Sequence, residues 1–421
     1  MITQKRAIDG ATPLRSADRA FRARSWQGPN LKKYLMEFAD DGFPESRFTD
    51  AFARAIGTRY AVGSNTCTNA CHTAMAALGV GPGDEVVITA ISDYGTLFGI
   101  LAQRAIPIFA DVDPETGCVT GETIARAITP RTKAVFVVHW ASTTCDMDPI
   151  LEVTRKHGLP LAEDCCQSIL AKYKGKTTGS IGTIGAFSFD ATGWGGKHLG
   201  TGSGGALTTD DELIYRRAHN FGTQRGEALG PPNFGRRHPI LGVPYRFDEV
   251  KAAIGLAQLE IMRQIVARRQ ELARRLDARL ARIDGIKPCP IPEGGENSYW
   301  IYSFLVDLDK FRVSLDELTA AMVAEASGQA WIGAGRYYFL PESVEVLQDF
   351  RITYGEGLNP GGRPETHLGD RYARDRMAAE LPNAKWYVEH MLRFSPHEGW
   401  SEQDIDDAAT IIEMVAEHYH V

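Results

Sequence analysis

"SFDATGWGGKHLGTGSGG", residues 188–205, crowds seven glycines around one lysine, Lys197, and the meaning of that crowding decides what fold the chain builds. Gly200, Gly202 and Gly205 satisfy the spacing of a dinucleotide loop. Such a loop must open a helix at its last glycine, and here "ALTT" follows as a strand-like run. "GWGGKH" imitates a nucleotide-phosphate loop, yet Ala191 stands where the first glycine belongs and His198 where Ser or Thr would bind magnesium. A plain flexible loop is the bland alternative. The remaining reading is chemical: a partly desolvated lysine loses its proton readily and condenses with an aldehyde to form an imine, and glycines let the backbone approach closely.

Pyridoxal 5'-phosphate (PLP) is the common biological aldehyde of this kind. It needs a carboxylate against its pyridine nitrogen, a cradle for its phosphate and a group on its 3-oxygen. "LPLAEDCCQS" (159–168) is an apolar strand ending in Glu163 and Asp164, at the carboxyl edge where α/β sheets bind ligands. Asp164 is the candidate for the ring nitrogen; capping of the next element is the alternative for both acids. "SNTCTNACHTAMAAL" (64–78) sets Thr66, Cys67 and Thr68 where a strand passes into a helix, so free N–H groups and the helix dipole would meet an anion there. An ordinary Ser/Thr-rich cap reads the same way.

The surrounding chain supports a sheet with an edge of this kind. β-Branched runs ("RYAVGS", "EVVITAI", "IPIFADVD", "KAVFVVHW", "LPLAED", "TIGAFSFD", "GALTTDD") alternate with stretches such as "TNACHTAMAALGV", "DPILEVTRKHG" and "DELIYRRAHNFG", whose apolar residues recur at three and four. That rhythm predicts a mostly parallel sheet sandwiched by helices. A long helix is expected from Phe247 to a capping Gly285, with the basic run "RRQELARRLDAR" as its solvated face. Pro288, Pro290 and Pro292 then mark a hinge. The expected organisation is an N-terminal arm plus large domain over 1–285 and a smaller C-terminal α+β domain over 286–421, with Ser401 capping the last helix. Residues 341–370 read as a long loop.

With 421 residues, 43% hydrophobic, the chain can bury a full core. A formal net charge of -7 without a basic stripe argues against nucleic acid as a partner. No apolar run is long enough for a membrane span and the first residues carry no leader pattern, so the expected compartment is the cytoplasm. Seven scattered cysteines without CxxC spacing read as buried or pocket-lining thiols.

In order and spacing the chain resembles the DegT/StrS family of PLP-dependent sugar and cyclitol aminotransferases, of the aspartate-aminotransferase fold (fold type I). The likeness runs from about Tyr60 to Leu259 through "ALGVGPGDEVV", "PIFADVDPETG", "AITPRTKAVFVVHW", "CDMDPILEVTRKHGLPLAEDCCQS", "YKGKTTGSIGTIGAFSF" and "PYRFDEVKAAIGLAQLE", and persists in "SPHEGWSEQDIDDA". The resemblance implies that Lys197 forms the imine and then shuttles a proton, and that Asp164 pairs with the pyridinium. Gln167 would reach the 3-oxygen or ring edge, while Ser188 and the backbone around Cys67 and Thr68 would hold the phosphate. It further implies a homodimer with shared active sites, an amino donor such as glutamate or glutamine, and a keto-sugar or ketocyclitol acceptor. "AIDGATPLR" (7–15) resembles the start of the branch acting on scyllo-inosose-type cyclitols or making 3-amino-5-hydroxybenzoate.

Five departures stand beside the likeness. Cys67 replaces a glycine; Asp93 replaces a stacking aromatic, leaving Tyr94 as substitute; GWGG (193–196) is inserted before Lys197; Ser203 replaces a glutamate; and Pro244 replaces an asparagine lent by the partner subunit, leaving Arg246 for the anion. The alternatives are therefore a lyase or dehydratase using the same pocket, with His198 as base, and a binding protein that has lost catalysis. His198 as a residue behind the site or facing solvent, His139 as a satisfied core histidine, and Trp140 and Trp194 as packing are the alternatives for those residues.

Overall fold

The computed structural model describes residues 6–21, 24, 28–190, 196–228, 235–334, 340–348 and 374–421. The β-branched runs form a seven-stranded sheet: β1 (Tyr60–Ser64), β2 (Glu85–Thr89), β3 (Ile106–Ala110), β4 (Thr132–Val138), β5 (Leu161–Asp164), β6 (Ile184–Ser188) and β7 (Gly205–Thr209). Their order is β1-β7-β6-β5-β4-β2-β3. Pairing is parallel from β6 across to β3, and only β7 runs against its neighbours. That single reversal matters: a chain leaving β6 and returning antiparallel through β7 comes back to the edge it left. The glycine-rich stretch is thereby confined to the carboxyl edge of the parallel strands, where Ser64 and Ser188 both pair with Gly205.

The helices are α1 (Leu31–Asp41), α2 (Glu45–Ile56), α3 (Cys67–Ala77), α4 (Tyr94–Ala102), α5 (Gly121–Ala127), α6 (Met147–His157) and α7 (Glu212–Thr223). β2, β6 and β7 are buried along their whole length, as strands covered on both faces must be. α4 lies tightly on α3, because a Cβ at Gly99 would stand 2.7 Å from the backbone of Cys71.

The expected long helix is two helices, α8 (Glu249–Leu259) and α9 (Met262–Leu280). α8 packs on α1 and α2, where Gly255 admits the ring of Phe48, whereas α9 carries Leu272, Leu276 and Leu280 into a different core. One straight helix could not serve both, and the break falls at Glu260 and Ile261. Gly285, with φ +81°, lies beyond the helix, immediately before the first strand of a second sheet.

That antiparallel sheet comprises β8 (Ile286–Pro288), β9 (Tyr302–Val306), β10 (Ile332–Ala334) and β11 (Met391–Phe394), in the order β8-β9-β11-β10. α10 (Leu315–Ala324) and the last helix, α11 (Glu402–Tyr419), share its core. Ser401 caps α11 in a reciprocal box with Asp404. The N-terminal arm joins this core: Arg15 pairs with Asp404 and Asp407 at 2.8 and 2.9 Å, and Phe21 stacks on Trp400. Within 341–370, Pro341–Ser343 and Glu345–Gln348 are short helices, and residues from 349 onward lie outside the described set. No helix among the described residues is long and apolar enough to cross a membrane.

Candidate active site

A cavity of about 540 Å³ opens at the carboxyl edge, and strand alternation decides what faces it. Phe187 and Phe189 turn into an aromatic cluster with Phe48 and Phe52, which leaves Ser188, between them, lining the cavity. Asp164, 2% exposed, lines it from the end of β5. Its carboxylate accepts the Thr96 hydroxyl at 2.6 Å and the Cys166 N–H at 2.9 Å.

α3 begins at the cavity wall. Thr66 caps it by accepting the Asn69 N–H at 3.0 Å, which leaves the N–H groups of Cys67 and Thr68, with the positive end of the helix dipole, at the lining. Gly205 makes this close: a Cβ there would sit 2.7 Å from the Cys67 nitrogen.

Lys197, 8% exposed, lines the same cavity. Its Nζ lies 3.1 Å from the ring centroid of Trp300, a cation–π contact. Its N–H donates to Asp190 O at 2.9 Å, and its carbonyl accepts from Arg24. Arg24 also donates to His198 O at 2.8 Å and to Glu398 at 2.6 Å. Glu398 in turn receives Nε of Arg269 at 2.9 Å, so the lysine's backbone rests on an Arg24–Glu398–Arg269 buttress. Burial alone would raise the Glu398 carboxyl, but the Arg269 and Arg24 guanidinium groups hold it at about 2.

Gln167 lines the cavity with its Oε1 fixed by the Ala141 N–H at 2.7 Å, leaving its amide nitrogen as the available donor. Ala141 and Ser142 have φ of +48° and +72°. Ser142 bridges that strained turn to both Gln167 O and the Trp300 N–H, each at 2.6 Å.

The cavity thus gathers Thr66, Cys67, Thr68, Asp164, Gln167, Ser188 and Lys197 from the sequence-derived set. Two residues are not brought there. Tyr94 is 44% exposed and packs toward Phe98, because Asp93 before it serves as the α4 cap and itself faces the cavity. Arg246 is exposed, with Nη1 3.5 Å from Thr223 O, and does not line the cavity of its own chain. Among the departures, Ser203 lines the cavity and donates to Asn65 O, and Gly196 lines it too; residues 193–195, with Trp194, lie outside the described set.

Two expectations are corrected. His198 is not solvent-facing: it is fully buried, Nε2 donates to Ser298 O at 2.8 Å, and burial together with Arg269 pushes its pKa well below the usual histidine value. Arg269, within the run expected to be solvated, is fully buried on Glu398. His139 is a satisfied core residue, accepting the Cys145 N–H at Nδ1 and donating to Glu163 from Nε2. Trp140 is packing, its Nε1 donating to Tyr387. Residue-by-residue inspection missed Trp300, Arg393, Arg24 and Glu398. Only Glu398 carried a signal, since it lies inside "SPHEGWSEQDIDDA".

Residues 34–351 match the DegT/DnrJ/EryC1/StrS aminotransferase family. The chain is 36% identical over 283 residues to a GDP-perosamine synthase of Caulobacter vibrioides, covering 65% of this chain and 74% of that one. It is 36% identical over 290 residues to an L-glutamine:2-deoxy-scyllo-inosose aminotransferase of Streptomyces fradiae, covering 67% of each. The crystal structure of an aminotransferase from Streptoalloteichus hindustanus superposes with a TM-score of 0.76 at 28% identity, over 94% of this chain and 98% of that one. With its sheet, cavity and sequence in agreement, the chain belongs to the DegT/DnrJ/EryC1/StrS family and is a PLP-dependent aminotransferase of that family.

Proposed function

We propose that this enzyme moves an amino group from glutamate or glutamine to the ketone carbon of a small ring-shaped polyol, a keto-sugar or ketocyclitol, in amino-sugar or antibiotic biosynthesis. The observation that supports this most is the convergence of Lys197, Asp164 and the start of α3 on one cavity. The names of the relatives, one a synthase of the amino sugar GDP-perosamine and one an aminotransferase acting on 2-deoxy-scyllo-inosose, point to the same acceptor class.

The residues present fit the cofactor. Asp164 offers a buried carboxylate with room for one more donor, and would keep a ring nitrogen protonated. The N–H groups of Cys67 and Thr68 and the hydroxyls of Thr66, Thr68 and Ser188 would seat a phosphate, and Gln167 would reach the ring edge. PLP supplies an aldehyde that condenses with amines and a ring that takes up the electrons released when a C–H bond at the amine carbon breaks. Lys197 Nζ would attach to that aldehyde, then carry the proton from the donor's α-carbon. Trp300 covers that amine and would exclude water beside it. Asp93 and Asp190 would face substrate hydroxyls, and Arg393 a donor carboxylate. Arg246, exposed on its own chain, would serve the partner's cavity in a homodimer. A cytoplasmic setting suits the seven free cysteines.

The test is to load the protein with PLP and add glutamine or glutamate. The visible band of the lysine-bound aldehyde form is expected to give way to that of the amine form, and Lys197→Ala to abolish the first band. A stable band that neither donor changes would overturn amino transfer. The lyase reading with His198 as base draws no support, since that imidazole points to Ser298 O outside the cavity lining.

A further inference from the structure

Lys197 stands in "GGKHLG" (195–200), bracketed by glycines that bring no side chain to hold the backbone in place. Its aim is nonetheless fixed on both sides of the α-carbon. The N–H donates to Asp190 O at 2.9 Å, and the carbonyl accepts from Nη1 of Arg24. With both flanking peptide planes tied, the direction of the Cα–Cβ bond is set, and with it the region that Nζ can reach.

All three nitrogens of the Arg24 guanidinium are engaged: Nη1 on Lys197 O, Nη2 on His198 O at 2.8 Å, and Nε on Glu398 at 2.6 Å. A planar fork holds two successive carbonyls in one fixed geometry, which the compact ammonium of a lysine does not reproduce. The root of the clamp is firm. Three residues earlier, Phe21 donates its N–H to Gln329 Oε1 at 2.7 Å, accepts Gln329 Nε2 at 2.9 Å on its carbonyl, and stacks on Trp400. Glu398, two residues before Trp400, is shared with the buried Arg269. Arg24 thus joins the core of the second sheet to the lysine at the edge of the first. Neither Arg24 nor Glu398 lines the cavity, so whatever they do for the reaction passes through Lys197.

We propose that Arg24 is a positioning residue for amino transfer, aiming the Lys197 amine by holding two successive carbonyls of its backbone. A misplacement of about 1 Å costs on the order of 10² in rate. The loss falls on the proton that Lys197 carries and not on donor binding, since the clamp touches no part of the donor's site. The catalytic consequence rests on the lysine chemistry proposed above; the clamp does not.

The experiment compares the full-length parent with Arg24→Ala and Arg24→Lys in two states. In the PLP-free protein, mass spectrometry reads hydrogen exchange of peptides containing Lys197. Their exchange is expected to be roughly tenfold faster in Arg24→Ala, and to slow again when guanidinium chloride is added far below its unfolding range. The Arg24 side chain is 10% exposed, so a small ion from solvent can reach the space left by alanine. In the PLP-loaded protein, single-turnover conversion by glutamine should have a maximal rate roughly 10²-fold lower in Arg24→Ala, with the half-saturating glutamine concentration within about twofold of the parent. The circular dichroism of the visible cofactor band should change with it. Guanidinium should recover about tenfold of the rate, and sodium chloride at the same concentration should not. Arg24→Lys keeps the positive charge beside Glu398 but loses the fork; it should remain about tenfold slow, and it carries the test where Arg24→Ala does not fold.

A parent-like maximal rate in the variants would overturn the proposal, as would a raised half-saturating concentration at an unchanged maximal rate. So would a deficit that sodium chloride repairs equally, or one matched by the unfolded fraction in urea. A parent protein that never gains the visible band would instead overturn the function proposed above, while the exchange rates would still decide the clamp: unchanged exchange in both variants would remove it.

Discussion

Glu163 and Asp164 end the same strand, yet the regions on either face of the sheet treat them in opposite ways. Behind the cavity, the Glu163 carboxylate is saturated: it accepts the N–H groups of Gly179, Ile181 and Gly182 at 2.9, 2.9 and 2.6 Å, and Nε2 of His139 at 3.0 Å. At the cavity, Asp164 has one hydroxyl and one N–H. A carboxylate whose lone pairs are all engaged within the protein ties loops together, while one with capacity left over, buried at a cavity wall, is reserved for a ligand. Both acids are almost completely buried, so burial does not separate them; the tally of hydrogen bonds does.

The comparison is sharpest in paired substitutions. Asp164→Asn is expected to lower kcat/KM for amino transfer by roughly 10²–10⁴ while leaving the urea midpoint near that of the parent; a large loss of stability instead would erase the contrast. Glu163→Gln should do the reverse, because the amide brings a donor against backbone donors. A cost of about 3–5 kcal/mol in urea unfolding is expected, with kcat per folded site nearly unchanged.

The buttress behind Lys197 lies between these extremes. Glu398 is held near 2 against an ordinary 4.5, so its contribution is fully present above about 4.5 and is lost as pH falls toward 2. Glu398→Gln should remove on the order of 3 kcal/mol at neutral pH and flatten the acid limb of a stability–pH curve. An unchanged acid limb would place the acid sensitivity elsewhere. The smallest effect belongs far from both regions: Ser401→Ala should cost about 1 kcal/mol through the lost α11 cap, with cofactor binding untouched. Any change in the cofactor band would reveal coupling from α11 to the cavity.

Much of this was legible from local pattern. Alternation and three-four spacing located the strands and helices, and an acid at the end of an apolar strand, a Thr-rich strand-to-helix passage and one lysine among glycines named most of the cavity lining. Tyr94 misled because the chemistry of its type outweighed its position: Asp93, a natural cap, takes the helix start and turns the tyrosine outward. Arg269 misled because a basic run on a helix usually faces water, and nothing beside it in sequence reveals Glu398.

The sequence by itself determined the class of fold, the family and the chemical inventory at the carboxyl edge, since strand alternation, helix spacing and capping act over a few residues. Only the tertiary structure decided that Arg24, which holds the lysine's carbonyl, is itself anchored by Glu398, 374 residues away along the chain. It also decided that Trp300 covers the amine and that His198 turns from the cavity. Those contacts join segments whose approach is fixed by packing of whole elements, and no local pattern encodes which distant partner a buried charge will find.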